Sequence, residues 1–513
     1  MLVALIAAAL GSALLFSVGG DDSAKLRRWA IAAAGGILLL AVSLLTGFDP
    51  AIATPQLAID WDWLPALGIH FSLGLDGLSL PLLLLASLLT LLAIASSPAD
   101  QSRPRLYYSL IFLAAAGMVI SLLSRDLMLF VLGYELELIP VYLLISIWGG
   151  EQRGAAATRF LIFTAISGIL LLLGAIATAI LSSQPFSFSL DQLQTVDLPL
   201  ALQLPLLLLF VAAFAIKLPL VPFHSWQPAA YGQASPAIAM LLGGAISKLG
   251  GYGLFRFCCS LFPEAWSLIA PSLAVLAAIT ALYGTLNALR QTDLQRLVAF
   301  SSMGHMGTLL LALAAGTPLA LQGAIAQMVA HGLILALLFQ LIGTIERVTG
   351  RRDRDQLSGL LNPIRGLPLT AGLLLMAAMA SAGIPGLVGF IAEFLIFQGS
   401  FAIFPWATVG CIAASGLTAV YFVSLINRAC FGKLDNQEAR WRSVTASERW
   451  PAVVLALTVM ALGIAPQALV RWSEGSSLAI AAHLPQPLQS TIAEGRSRST
   501  PVFPTPSLSA VLQ

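Results

Sequence analysis

Long apolar runs dominate this sequence, and they constrain its fold more strongly than any other feature. Hydrophobic residues make up 58% of the 513 positions, whereas charged residues make up only 10%. A soluble domain carries about 25% charged residues, so this chain has too few to cover a water-exposed surface. Runs of about 20 apolar residues, the length that crosses a bilayer as a helix, recur along the chain. The sequence therefore predicts an all-α protein embedded in a membrane.

The apolar runs predict about 14 transmembrane helices. They lie near residues 2–18, 29–47, 78–97, 107–123, 126–148, 158–182, 201–226, 236–261, 266–288, 296–315, 318–345, 367–402, 405–427 and 450–470. Pro219 and Pro222 are expected to break the seventh span, because each proline removes a backbone donor and crowds the preceding turn. The run Ala382-Gly-Ile-Pro-Gly386 is expected to break the twelfth. We expect the first span to be retained, because it lacks the charged start and cleavage site of a signal peptide.

The basic residues predict how the chain is inserted. If the N-terminus lies on the lumenal or periplasmic side, most of the 26 Lys and Arg residues fall in cytoplasmic loops, as the positive-inside rule requires. The exceptions are Arg125, Arg256, Arg471, Arg496 and Arg498 on the outer side and Lys217 and Lys248 inside spans. The loop at residues 48–77 contains no Lys or Arg, which also suits the outer face. An even number of spans then places both termini outside.

Ionisable residues inside the predicted spans indicate the function. They are Glu135, Glu137, Lys217, Lys248 and Glu393, joined by the histidines His224, His305 and His331. A charged side chain at the bilayer centre costs roughly 2.5–3.5 kcal/mol, and such residues mark ion and proton pathways. Histidine changes its protonation state near neutral pH. The sequence therefore predicts a buried path for protons.

Lys248 lies in the middle of the eighth span, within Gly243-Gly-Ala-Ile-Ser-Lys-Leu-Gly-Gly-Tyr252. The glycines leave room for water or a neighbouring backbone. A buried ammonium group holds its proton more firmly while a carboxylate lies nearby, so moving that carboxylate loads or releases a proton. Lys248 is therefore a candidate proton carrier, and a structural ion pair is the alternative.

Lys217 directly precedes the break in the seventh span, where free carbonyl groups favour a cation. We expect its counter-ion to be Glu135 of the fifth span. Glu137 is two residues further on, about 200° around a helix, so the two acids cannot line one file. For Glu137 two roles stay open: a contact with a neighbouring helix or subunit, or a part in transport.

His305 and His331 lie near the middle of consecutive spans, and Glu393 follows the break in the twelfth. Together they suggest a relay that ends in an acid reached by water. Two alternatives stay open for the histidines: they are satisfied core residues, or they are the two axial ligands of a haem.

Several other functions are not indicated. The sequence contains no dinucleotide fingerprint, phosphate-binding loop or catalytic-triad motif. The four cysteines lack the spacing of an iron–sulfur or zinc site, which makes them packing residues. A net charge of +2 gives no reason to expect a nucleic-acid partner. Lipid and protons are the partners that the residues themselves imply.

Three motifs carry a close resemblance to a known family. They are Leu132-Gly-Tyr-Glu-Leu-Glu-Leu-Ile-Pro-Val-Tyr142, Phe214-Ala-Ile-Lys-Leu-Pro-Leu-Val-Pro-Phe-His-Ser-Trp226 and Asp293-Leu-Gln-Arg-Leu-Val-Ala-Phe-Ser-Ser-Met-Gly-His-Met-Gly307. They resemble the antiporter-like subunits of respiratory complex I and of the photosynthetic type-1 NAD(P)H dehydrogenase. The chain 4 type, called subunit M in bacteria and NdhD in cyanobacteria and plastids, matches best, from the first span to about residue 470.

The resemblance implies a layout for the chain. Helices 4–8 and 9–13 would form two inverted five-helix repeats, with the broken seventh and twelfth helices in equivalent positions. Residues 1–106 would hold helices 1–3 and the outer loop, 107–261 the first repeat, 262–432 the second, and 433–472 a cytoplasmic loop with helix 14. Residues 473–513, rich in Pro, Ser and Gln, form no convincing element and are predicted to be a tail.

The resemblance also implies roles. Glu135 and Lys217 would be the coupling pair, Lys248 the central carrier, His305 and His331 bridging groups, and Glu393 the terminal acid. The chain would be a subunit of a translocating NAD(P)H-quinone oxidoreductase in a cyanobacterial thylakoid or a bacterial inner membrane. It would hold no cofactor, and FMN, iron–sulfur clusters and quinone would bind to other subunits. Chain 5-type, chain 2-type and small membrane-arm subunits would be its partners.

The chain departs from the family pattern at the cytoplasmic mouth. After Trp226, the usual Leu-Pro-Asp-Ala-His is replaced by Gln227-Pro-Ala-Ala-Tyr231, and Gln295 replaces a usual Lys. An acid and a histidine are thereby lost. This pattern, together with Ala382-Gly-Ile-Pro-Gly386, resembles the variants that serve CO2 uptake. The D-type subunit of a multi-subunit Na⁺/H⁺ antiporter is the alternative function, because it shares the Glu and Lys framework.

Overall fold

The structure, a computed structural model, describes residues 1–182, 186–364, 366–433 and 441–485. Within these ranges the chain is helical apart from one two-stranded sheet and its loops, which confirms the all-α prediction. Twelve helical segments of this part are long and apolar enough to cross a membrane, and three shorter apolar helices accompany them. Each predicted span coincides with one or more helices. The count of 14 spans and the inverted repeats remain predictions.

The first half of the chain supplies thirteen helices. They are α1 (Leu2–Ser17), α2 (Ser23–Ser43), α3 (Ser79–Ser96), α4 (Pro104–Leu123), α5 (Leu127–Leu136), α6 (Leu138–Trp148), α7 (Arg153–Ser182), α8 (Leu190–Leu193), α9 (Leu200–Lys217), α10 (Trp226–Gln233), α11 (Pro236–Leu241), α12 (Lys248–Gly253) and α13 (Cys259–Leu261). Two π-helical segments, Leu242–Ile246 and Leu254–Cys258, join α11, α12 and α13 into one continuous span.

The second half supplies eight more. They are α14 (Pro263–Arg290), α15 (Leu294–Ala315), α16 (Pro318–Thr349), α17 (Pro368–Ser381), α18 (Val388–Phe401), α19 (Pro405–Ala429), α20 (Ala446–Ile464) and α21 (Gln467–His483). Short 3-10 turns lie at Leu44–Gly47, Pro65–Leu67, Phe223–Ser225 and Arg354–Gln356. The predicted breaks are confirmed, since the seventh span ends at Lys217 and resumes at Trp226, and the twelfth is interrupted between α17 and α18.

Two segments form the centre of the helix assembly. The apolar windows of α16 and of the span Pro236–Leu261 are completely buried. By contrast, α7, α14 and α19 expose apolar side chains, as lipid-facing or subunit-facing helices do. The ionisable residues of the central segments are therefore surrounded by protein rather than by lipid.

The close packing of α16 against α18 rests on small residues. A Cβ atom on Gly399 would lie 2.4 Å from the backbone nitrogen of Ala320 in α16, whereas one on Gly416 of α19 would meet no atom within 4 Å. We expect Gly399→Ala to destabilise the protein by about 1–3 kcal/mol, because two backbones must separate. Gly416→Ala should leave stability unchanged or raised. Thermal unfolding in detergent checks the pair, and equal midpoints would contradict this account of the packing.

The outer loop contains a β-hairpin that the sequence analysis missed. Strand β1 (Gln56–Leu64) pairs antiparallel with β2 (Ile69–Leu75), and the rings of Trp61 and Phe71 stack at 5.7 Å between centroids. The alternation of Asp and Trp at positions 60–63 is the period-two signal of a strand.

The predicted tail is wrong as far as residue 483, because α21 continues to His483. Its buried residues include Ser473 and Ser477, whose hydroxyl groups donate to carbonyl groups one turn earlier, at 3.1 and 2.7 Å. Short hydroxyl side chains allow close packing against α16 but contribute little hydropathy. A search for runs of about 20 apolar residues therefore does not detect this helix. Residues 486–513 of the predicted tail lie outside the described residues.

Candidate functional site

Lys217, the last residue of α9, forms a buried ion pair with Glu137. Both side chains are almost inaccessible, with 3% and 1% of their surfaces exposed. The ammonium group also lies 4.3 Å from the centroid of the Tyr134 ring, a favourable cation–π distance. The C-terminal end of a helix favours a cation, and the Trp226 indole satisfies the carbonyl of Ile216 beside it at 2.8 Å. The break in the span thus creates a specific binding position for this ammonium group.

The prediction that Glu135 is the counter-ion of Lys217 is wrong, because Glu137 makes the ion pair. The two acids do point in different directions, as the 200° rotation requires, but the assignment was reversed. Glu137 occupies the junction between α5 and α6 and faces α9. Glu135 is half-buried against α7, where its carboxylate fills the space in which Gly168 lacks a side chain. The positions along the sequence could not tell which acid faced α9.

Lys248 lies between the two π-helical segments of the central span. It is 2% exposed, and its ammonium group donates to the carbonyl of Gly243 and to the hydroxyl of Ser247. A π turn holds one residue more than an α turn, and such turns occur frequently at functional sites. The wide turn at Leu242–Ile246 brings the Gly243 carbonyl within reach of the Lys248 side chain.

The third contact of Lys248 leads to the next predicted group. Its Nζ lies 2.8 Å from Nδ1 of His331 in α16. A charged ammonium group can only donate, so Nδ1 accepts and the proton of the neutral ring is on Nε2. That Nε2 is buried without a partner among the described residues, and the ring of His305 lies 5.3 Å away between centroids. The two histidine rings therefore pack against each other.

His305 connects this pair to Glu393. Its Nδ1 lies 3.3 Å from the Glu393 carboxylate and 3.3 Å from Nε2 of Gln327, and its Nε2 lies 3.1 Å from the Ser381 hydroxyl. Nδ1 cannot donate to the carboxylate and accept from the amide at once. Turning the Gln327 amide around resolves the conflict, because its buried Oε1, which lacks a partner in this part of the chain, would then accept from Nδ1. The Nδ1–H of His305 would then lie between Gln327 and Glu393 and be shared by their oxygens.

The broken twelfth span positions Glu393. Gly383 has a φ of +70°, which other residues rarely adopt, and a Cβ atom there would lie 2.9 Å from the Glu393 carboxylate. The hydroxyl of Ser415 in α19 donates to the same carboxylate oxygen, Oε2, at 2.6 Å. Lys248, His331, His305 and Glu393 therefore form one buried series across α12, α16, α15 and α18.

The geometry does not support a haem between the two histidines. A haem ligand needs a ring nitrogen free to bind iron, but His305 contacts Gln327, Glu393 and Ser381 with its two nitrogens. His331 uses Nδ1 for Lys248.

A polar cavity of about 360 Å³ marks the predicted cytoplasmic mouth, and its lining includes His224, Arg159, Arg296 and Ala229. The side chains below it continue inward: Gln227 donates to the Ser302 hydroxyl at 3.1 Å, and Tyr231 is completely buried. Ala229 and Tyr231, which replace the usual acid and histidine, thus lie on this route. Water in the cavity would have to carry protons in place of that acid and histidine.

Comparisons with known proteins identify a family and several relatives of this chain. Residues 124–418 match the family described as NADH:quinone oxidoreductase/Mrp antiporter, TM. A protein named NAD(P)H-quinone oxidoreductase chain 4 1 from Synechococcus sp. is 38% identical over 479 residues, which is 91% of this chain and 90% of the relative. A relative of the same name from Synechococcus elongatus is 39% identical over 444 residues, or 85% and 83% of the two chains.

Solved structures show the same fold. A chain of respiratory complex I from Thermus thermophilus superposes with a TM-score of 0.87 at 27% identity, covering 95% of this chain and all of the other. A chain of the Mrp complex from a Dietzia species superposes with a TM-score of 0.83 at 24% identity, covering 94% and 99%. The second likeness supports the fold alone.

Proposed function

The chain belongs to the family of NADH:quinone oxidoreductase and Mrp antiporter membrane subunits, and we propose that it moves protons within an NAD(P)H-quinone oxidoreductase. The relatives that match along nearly the whole chain are chain 4 proteins of such an oxidoreductase. In this proposal the chain is one proton-translocating unit of the membrane arm. Electron transfer takes place on other subunits, which carry FMN, iron–sulfur clusters and the quinone site.

One observation carries the proposal. The buried groups Lys248, His331, His305 and Glu393 follow one another at 2.8 Å, at 5.3 Å between rings and at 3.3 Å. Each can gain or lose a proton, and the two histidine rings that link the ends of the series are direct neighbours. A structural ion pair would not require four titratable groups on four different helices.

The ion pair of Lys217 with Glu137 supplies the switch. While the pair is closed, the carboxylate holds the Lys217 ammonium group in the seventh span. If the pair opens, the freed positive charge disfavours a second ammonium group at Lys248 and drives its proton towards His331. A conformational change elsewhere in the complex that opens and closes the pair would thus be converted into proton movement.

The proposal includes a direction of proton transport, a membrane location and a set of neighbouring subunits. Protons enter from the cytoplasm through water in the cavity beside His224. They leave towards the lumen or periplasm, where both termini lie by the positive-inside rule. The similarity to Synechococcus chain 4 proteins favours a thylakoid location, and the substituted mouth favours the variant that serves CO2 uptake. Chain 5-type, chain 2-type and small membrane subunits are the proposed neighbours.

The alternative, a Na⁺/H⁺ antiporter subunit, is supported by the family description and by the shared fold of the Mrp chain. Copurification separates the two functions. An affinity-tagged chain should bring down iron–sulfur subunits in stoichiometric amounts, because an oxidoreductase must carry its electrons on such partners. Recovery of an intact complex of membrane subunits without any iron–sulfur protein would favour the antiporter and contradict the proposal.

A further inference from the structure

A second buried polar cluster lies at the membrane face that carries the β-hairpin. A cavity of about 230 Å³ there is lined in part by two ion pairs, Asp76 with Arg256 and Arg125 with Asp191. Arg256 donates to Asp76 at 2.6 Å, and the two residues are 7% and 4% exposed. The sequence analysis counted Arg256 as a residue of the outer side, but it lies inside the same span as Lys248. The proton relay proposed above does not use this cluster.

The cluster approaches Lys248 along one face of the span. Tyr252 follows Lys248 by four residues in α12, and Arg256 follows by eight, a rise of about 12 Å in an α-helix. Arg256 donates through Nε to the Tyr252 hydroxyl at 3.2 Å. That hydroxyl in turn donates to the carbonyl of Leu122 in α4 at 3.1 Å. Tyr252 therefore connects the cavity at the hairpin face to the interior.

The remaining space beside Lys248 is small. A cavity of about 10 Å³ touches both Lys248 and Leu122, the residue whose carbonyl Tyr252 contacts. This volume is at the lower limit of what one water molecule needs. Apart from Lys248, the side chains that line this small cavity are apolar. Tyr252 and Arg256 follow Lys248 along the span towards the cavity at the hairpin face, which Arg256 helps to line. If water entered along this face of the span, a proton on Lys248 would reach the outer side by a short route that bypasses His331, His305 and Glu393.

We propose that Arg256, held in place by Asp76, is the barrier that closes this short route and directs the proton of Lys248 into the relay. The inference rests on the proposed function. A guanidinium group has five donors and no acceptor and does not lose its proton in proteins, so a proton cannot hop through it. Its fixed positive charge also repels an approaching hydronium ion, as arginine does in selective pores.

The state of Asp76, just before α3, keeps this barrier in position. Burial by itself would raise the pKa of the Asp76 carboxyl, but the charge of Arg256 and the Ser79 backbone N–H outweigh it and leave that pKa below its ordinary value. Asp76 therefore remains ionised at any physiological pH, and Arg256 keeps its partner. The Ser79 hydroxyl, 3.0 Å from the same carboxylate, fixes it further.

The test is passive proton leak through the reconstituted complex. Liposomes containing the complex receive a pH step without an electron donor, and an internal dye reports the rate of equilibration. We expect Arg256→Gln to raise the leak several-fold over the wild type, because the charge is lost while hydrogen-bonding capacity remains. Arg256→Lys should leak at a rate between those of the wild type and Arg256→Gln, because it keeps a positive charge but one that can release its proton. Arg125→Gln is the matched control, since it breaks the other ion pair of the same cavity outside the span of Lys248.

A double variant tests the route itself. Lys248→Ala with Arg256→Gln should return the leak to the wild-type rate, because the leaking proton must pass Lys248. The barrier role of Arg256 would be contradicted if Arg256→Gln leaked protons no faster than the wild type. It would also be contradicted if the faster leak persisted in the double variant without Lys248. If Arg256→Gln does not assemble, Asp76→Asn with Arg256→Gln is measured with the same expectation. Normal pumping by Lys248→Ala alone would instead contradict the proposed function, so the two failures are distinguishable.

Discussion

Complexes that carry Lys248→Ala are expected to assemble normally and to lose all proton translocation through this subunit. The alanine leaves the hydrogen-bonding position of His331 Nδ1 without a donor and removes the group that delivers protons to it. The total proton translocation of the complex should fall by at least the fraction that normally passes through this subunit. Native gel electrophoresis checks assembly, and proton uptake by proteoliposomes during quinone reduction checks transport.

Two further variants serve as controls for Lys248→Ala. Lys248→Arg keeps a cation at the site but cannot release its proton, so it should be as inactive as Lys248→Ala. Cys259→Ala removes another buried side chain of the same span outside the relay and should pump like the wild type. Activity in Lys248→Arg would show that a charge, rather than an exchangeable proton, is what this position supplies.

Glu137→Gln is expected to abolish most proton translocation, because it removes the carboxylate that pairs with Lys217 and so removes the switch. Lys217 would then have no carboxylate partner at Glu137's position, and the switch could not close. Glu135→Gln is the matched control, two residues away with the same change in chemistry. It removes no ion pair of Lys217 and should keep most of the activity.

The same transport assay compares the two variants. Equal losses would show that Glu135 also takes part in the switch through its position against Gly168. A loss confined to Glu135→Gln would contradict the pairing that the structure shows and restore the assignment made from the sequence.

The sequence could predict the spans, both breaks and the buried groups, because each depends on a free-energy cost set by the residue itself and its immediate neighbours in the chain. Proline removes a backbone donor wherever it lies, and a charge such as Lys248 or Glu393 in an apolar run needs compensation in any fold. The contact between His331 and Lys248 needed the structure, since 83 residues separate them. The resemblance to the family had already placed both on one path.

The features that the sequence could not predict depend on rotation and packing. Glu135 and Glu137 have the same chemistry, and only the orientation of the α5–α6 junction decides which one meets Lys217. The π turns around Lys248 shift side chains by one residue without a clear signal beyond glycine. Arg256 was missed because a positive charge near a span end is ordinarily explained by the loop beside it.

The central claim is that a proton passes from Lys248 to Glu393 each time this subunit works, and the number of protons moved per pair of electrons tests it most directly. Quinone reduction and proton uptake are recorded together in proteoliposomes that contain the wild-type complex, Lys248→Ala or Glu393→Gln. We predict that both variants lower the ratio by the same amount, because they interrupt one path at its two ends. An unchanged ratio in either variant, with electron transfer intact, would contradict the account.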